Sequence, residues 1–145
     1  MPKALIVFAT RTGKTKQIAE IIAEGLRIAG VDVELLNANG IKKESALEGY
    51  DAYVFGSSTY HGEMMAGMKT LLFLAEKADL AGKIGGSFGS FGWSGEASDR
   101  IFDTMKHTFN MDMVSSSLRL KSVSVEGGIK MAQDYGREIA KKLGL

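Results

Sequence analysis

The spacing of apolar and polar residues changes repeatedly along this chain, and each change marks an element. Residues 3–9 (KALIVFA) are almost continuously apolar, as a strand buried on both faces would be. From Lys14 to Ala29 the period becomes helical. Ile18, Ile21, Ile22 and Leu26 share one face, Lys16, Gln17 and Glu20 the other, and Gly30 supplies a stop. Val31–Leu36 alternates strictly, which predicts a half-exposed strand, and Ile41–Leu47 reads as a short helix. Asp51–Gly56 is a second buried strand. Gly67–Lys77 is a helix that buries Met68, Leu71, Leu72 and Ala75. Lys83–Phe88 is a strand of small residues and Asp99–Phe109 a helix. Asp112–Val125 gives one strand or two. Gly127–Leu143 closes with a helix whose inner face would be Ile129, Ala132, Tyr135, Ile139 and Leu143.

This alternation predicts an α/β fold: a doubly wound, five-stranded parallel sheet with helices on both faces. Ligands of such sheets bind at the carboxyl ends of the strands, near the switch point. The segments after Ala9, Gly56 and Phe88 are therefore expected to form the site.

Composition narrows the chemistry. The 145 residues are expected to form a single domain, 1–145, and 45% hydrophobic with 24% charged residues reads as globular. The absence of cysteine rules out disulfides, thiolate metal sites and cysteine nucleophiles. A net charge of +1 without a basic run leaves no electrostatic footprint for nucleic acid. No apolar run is long enough for a membrane span, and MPKALIVFA is too short for a secretory core, so a cytoplasmic protein is expected.

Gly13-Lys14-Thr15 ends like a nucleoside-triphosphate loop. That motif needs a glycine where Phe8 stands, and no strand ends in the acid that would partner it. What remains is a strand-to-helix turn, Thr10-Arg11-Thr12-Gly13-Lys14-Thr15, with three hydroxyls around a glycine. A helix start offers unpaired N–H groups and partial positive charge, which suit a phosphate. One threonine would be ordinary capping; three favour phosphate. Gly85-Gly86-Ser87-Phe88-Gly89 matches the hydrolase nucleophile elbow, but no helix follows the serine directly. Asp99, Asp103 and His107 fall on one helix, where triad partners come from separate strand ends. His61 and His107 are the only histidines and lie in no ligand cluster, so no metal site is expected.

The pattern Thr10, Thr12, Gly13, Thr15 resembles the phosphate loop of the flavodoxins, which implies FMN as cofactor. In that family the second segment, here Ser57-Ser58-Thr59-Tyr60-His61-Gly62-Glu63-Met64, places an aromatic or apolar residue against the flavin. The resemblance assigns that role to Tyr60 or His61. It also assigns to Gly62 the peptide that reorients when the flavin gains an electron. The third segment, Ser90-Phe91-Gly92-Trp93-Ser94-Gly95, is similar to the flavodoxin domain of flavodiiron proteins and implies that Trp93 lies near the flavin. The resemblance spans nearly the whole chain. No metallo-β-lactamase-like domain accompanies it, so the oxygen or nitric oxide reduction of those proteins is not carried over.

The resemblance implies a low-potential electron carrier working between a reductase and acceptor proteins, with no catalytic acid or base. The alternative is an FMN-dependent oxidoreductase of the same fold, like quinone reductases or protoporphyrinogen oxidase, although the chain lacks their insertions. A monomer is expected; Met64, Met65 and Met68 read as a packing or partner face. Flavodoxins are usually strongly acidic and this chain is not. Arg11 and Lys14 beside the phosphate would raise the second reduction potential, while Glu63, Glu96 and Asp99 could form a small acidic patch.

Overall fold

The structure is a computed structural model that describes residues 1–91 and 95–145. It opens with β1 (Lys3–Ala9), α1 (Lys14–Ile28) and β2 (Asp32–Asn37), followed by short 3-10 turns at Ala38–Gly40 and Glu44–Leu47. The expected helix over 41–47 is thus only its last turn. Next come β3 (Ala52–Tyr60), β4 (Glu63–Met64), α2 (Ala66–Lys77), β5 (Ile84–Ser90) and α3 (Glu96–Asp103). The chain closes with β6 (Asp112–Met113), β7 (Leu118–Leu120) and α4 (Gly128–Lys142). A π-type stretch, Thr104–Thr108, extends α3 and brings Met105, Phe109 and Met111 into the core.

The parallel sheet runs β2-β1-β3-β5, with β6 and β7 together filling the fifth position. The continuous apolar run of β1 follows from burial on both faces. Ala4, Ile6 and Phe8 pack under α1 and α4, while Leu5, Val7 and Ala9 pack under α2 and α3. The chain first winds from β1 to β2 and then returns past β1 to β3. The ends of β1 and β3 therefore flank the switch point, where the first two candidate segments begin.

Helix α1 keeps its expected face, with Ile18, Ile22 and Leu26 buried. Helix α4 does not keep all of its own: Ala132, Tyr135 and Ile139 are buried, but Ile129 is 50% exposed. The two helices meet closely at two glycines: a Cβ on Gly25 would lie 2.3 Å from the Gln133 carbonyl oxygen, and one on Gly136 2.4 Å from the Ile22 carbonyl oxygen. Ile129 lies about one turn before the first of these contacts, so the helical period runs on past the surface that covers it.

The fifth strand is interrupted. β6 pairs with Ile84 and Gly85, and β7 with Phe88 to Ser90, leaving Gly86 and Ser87, which pair with β3 on their other side, without a neighbour on this side. Tyr135 fills the gap from α4. The Ser87 N–H donates to its phenolic oxygen at 3.0 Å, and the phenol donates to the Ser116 carbonyl at 2.8 Å. Burial pushes this phenol well above its usual titration range. Tyr135→Phe would keep the ring but strand a buried N–H. The expected cost is about 1–3 kcal/mol, read as a lower urea midpoint with an unchanged slope.

Candidate functional site

The three candidate segments converge on one cleft of ≈ 390 Å³ at the carboxyl ends of the strands, within the size range of small-ligand sites. Arg11, Thr12 and Lys14 line it from the first segment. Ser58, Thr59, Tyr60, His61 and Gly62 line it from the second, and Ser90 and Phe91 from the third.

The first segment forms a tight turn. Gly13 is the N-cap of α1 at φ 87, a left-handed conformation that side chains disfavour. Its N–H donates to Thr10 Oγ1 at 2.9 Å. No side chain caps α1, so neither Thr12 nor Thr15 has the capping role weighed for it. The first-turn amides face the same end of the sheet as two cationic side chains, Arg11 and Lys14. That donor set suits a phosphate.

Not every predicted hydroxyl lines the cleft. Thr15 is fully buried, and its Oγ1 lies 2.7 Å from both Ser58 Oγ and Ser90 Oγ. Thr10 spends its oxygen on the Gly13 turn. Ser57 is also fully buried, donating to the Ser58 carbonyl and accepting the Met65 N–H at 2.9 Å. These residues shape the walls, and Thr12 is the threonine of the turn that lines the cleft. Gly95 caps α3 against the Arg119 side chain. Gly92, Trp93 and Ser94 lie outside the described residues.

The second segment is mostly strand where the sequence read as loop. β3 runs on to Tyr60 and turns through His61 and Gly62 into β4, pairing Thr59 with Met64 and Tyr60 with Glu63. His61 at φ 50 and Gly62 at φ 75 are the two positive-φ positions that a tight two-residue hairpin requires. Tyr60 is 43% exposed, with the His61 ring edge-on at 4.2 Å and the Arg11 guanidinium 4.0 Å over its ring centroid.

The expected acidic patch is largely neutralised. Glu63 pairs with Lys69 from α2 and with Arg100 from α3. An Asp99 oxygen lies 3.7 Å from Arg119, and its other oxygen accepts from Ser117 at 2.5 Å. Sequence reasoning missed Lys69 and Arg100, because only the hairpin brings Glu63 between the two helices. Met68 is fully buried, and Met64 and Met65 pack on the same core, so this methionine cluster is packing. Ser87 is fully buried in β5 and donates to the Ser98 carbonyl at 2.9 Å, as a structural serine and not a nucleophile. Among the described residues no acidic or histidine cluster could hold a metal ion, and no helix is long and apolar enough to cross a membrane.

An open parallel sheet with a cation-flanked turn and an aromatic hairpin lining a cleft at its switch point defines a doubly wound α/β protein. Its sequence matches the flavodoxin family model over residues 6–136, and the chain belongs to that family. It is 33% identical to a putative diflavin flavoprotein A of Nostoc over 95% of its length, but spans only 25% of that protein. The chain thus spans about a quarter of the length of the diflavin flavoproteins it matches. Its fold superposes on a flavodoxin from the domain Archaea with TM-score 0.91 and 30% identity, covering 99% of both chains. It also superposes on the Flv1 flavodiiron core of Synechocystis with TM-score 0.90 and 27% identity, covering 99% of this chain and 36% of that one.

The hydrogen bond from Lys69, together with the charges of Lys69 and Arg100, holds the Glu63 carboxyl below the usual carboxylate range. A depressed folded-state value stabilises the fold above the unfolded value of about 4.3 and loses that stability as pH falls through the folded one. The melting-temperature difference between wild type and Glu63→Gln should therefore be constant above about pH 5 and shrink in stronger acid.

Proposed function

We propose that this chain holds FMN non-covalently in the cleft and passes single electrons between a reductase and acceptor proteins. The observation that carries this reading is the convergence of the uncapped α1 turn with the Tyr60–His61 hairpin on one cleft at the switch point. Arg11, Thr12, Lys14 and the first-turn amides would hold the phosphate. Tyr60, His61, Gly62 and Phe91 would face the ring, with Trp93 joining them as the resemblance implies. The cofactor supplies the redox chemistry when bound; the chain binds it, orients it and sets its electrostatics. In this reading no general acid or base is needed.

A flavin-dependent oxidoreductase of the same fold is the second reading. The match to flavodiiron cores favours it, since there the same fold is 36% of a longer chain. The two readings divide on electron supply. A carrier oxidises NAD(P)H slowly when alone and rapidly only with a reductase; an enzyme oxidises it alone.

The test is a visible spectrum of the purified protein, before and after added FMN, followed by stepwise reduction. Flavin bands and two resolved one-electron steps are expected. A colourless protein that takes up no FMN overturns the reading. Flavin that reduces in a single two-electron step moves the weight to the enzyme.

Arg11 and Lys14 at the cleft, with Glu63 neutralised, place little negative charge near the ring. A unit charge about 10 Å away at an effective dielectric of about 40–80 contributes about 0.4–0.8 kcal/mol, or roughly 15–35 mV for one electron. The second one-electron potential is therefore expected to be less negative than that of an acidic flavodoxin. Potentiometric titration checks this, and Lys14→Gln should lower the potential by an amount in that range.

A further inference from the structure

Arg11 belongs to two parts of the site at once. Its position in the chain puts it in the anion-binding turn, one residue after Thr10, whose oxygen closes that turn. Its contacts put it on the hairpin. Its backbone N–H donates to Ser58 Oγ at 3.3 Å, and its guanidinium lies 4.0 Å over the centroid of Tyr60. Tyr60 is otherwise half in solvent, steadied at its edge by His61.

The hairpin has little else to fix that ring. It pairs through two residue positions and turns through a non-glycine residue at φ 50, a backbone state that neighbours must hold in place. The hairpin's second strand is tied down by Lys69 and Arg100 through Glu63, directly opposite Tyr60. Its first strand, which ends at Tyr60, is covered by Arg11. A flat guanidinium stacked on the phenol restricts how that ring can turn, and both side chains line the cleft.

We propose that Arg11 is a positioning residue for the ring end of the ligand, acting through Tyr60, in addition to its charge at the phosphate end. The proposal rests on the FMN reading above. It makes a distinction that phosphate binding alone does not. Riboflavin has the same ring system and no phosphate. A side chain that serves only the phosphate leaves riboflavin binding untouched, whereas one that sets Tyr60 affects both ligands.

The experiment measures FMN and riboflavin dissociation constants for the cofactor-stripped protein by quenching of flavin fluorescence. The variants are Arg11→Gln, Arg11→Lys, Tyr60→Leu and the Arg11→Gln/Tyr60→Leu double variant. Urea midpoints confirm that each is folded. Arg11→Gln should weaken riboflavin about two- to fivefold, the range of an exposed cation–π contact, and weaken FMN by more. In the Tyr60→Leu background it should cost riboflavin nothing further, and Arg11→Lys should recover part of the loss. Loss of FMN affinity with riboflavin unchanged would reduce Arg11 to a phosphate contact and overturn the proposal. So would equal riboflavin losses with and without Tyr60. A wild-type protein that binds neither flavin removes the FMN reading itself and this proposal with it.

Discussion

Thr15, Ser58 and Ser90 meet through their hydroxyls beneath the cleft, and the arrangement of the site depends on that meeting. Each comes from a different element: the first turn of α1, the end of β3 and the end of β5. All three are buried, with oxygens 2.7, 2.7 and 3.3 Å apart. A buried hydroxyl without a partner is costly. Three hydroxyl protons can serve the three sides of this triangle, and Ser58 still accepts the Arg11 N–H. The triangle therefore fixes where the turn before α1 stands relative to the hairpin stem and the third segment. Among the described residues no buried side-chain polar atom lacks a hydrogen-bond partner, so this junction is satisfied rather than strained.

Much of the fold was legible because burial on two faces leaves a plain trace. The runs at 4–9 and 52–56 are apolar throughout since both faces of β1 and β3 are covered. The ends of those strands were not legible. Ser57, Ser58 and Thr59 read as loop, yet they continue β3, because their polar atoms bond within the site instead of facing water. His61-Gly62 was a usable signal for a two-residue turn between extended partners. Of the first-turn threonines, Thr12 lines the cleft, while the oxygens of Thr10 and Thr15 bond within the protein. A sequence shows that hydroxyls cluster, but not that two of the three are spent on protein partners. Ile129 failed for another reason: periodicity has no knowledge of where the covering helix ends.

The charge pattern shows the same gap between sequence and space. Glu63, Glu96 and Asp99 look like an acidic rim when read along the chain. In the fold, two of them face cations that lie far away in sequence or on another element. Exposed pairs of this kind add little stability. Their larger effect is on the field over the cleft, where they cancel carboxylates that would otherwise oppose electron-rich states of a bound ring. A near-neutral chain can thus build a site that is more positive than its composition implies.

The hairpin joins these two themes. Its stem is rooted in the hydroxyl triangle through Ser58, and its two strands are held by charge, Arg11 over Tyr60 and Lys69 with Arg100 on Glu63. Between those anchors, His61 and Gly62 carry the left-handed backbone of the turn, with open space around the position a Gly62 Cβ would take. Restraint is therefore concentrated at the flanks and freedom at the tip. A peptide at such a tip can rotate without moving the residues on either side, because glycine tolerates both signs of φ. The tip can then change conformation while the turn before α1 and the sheet stay fixed. That division follows from where the anchors sit.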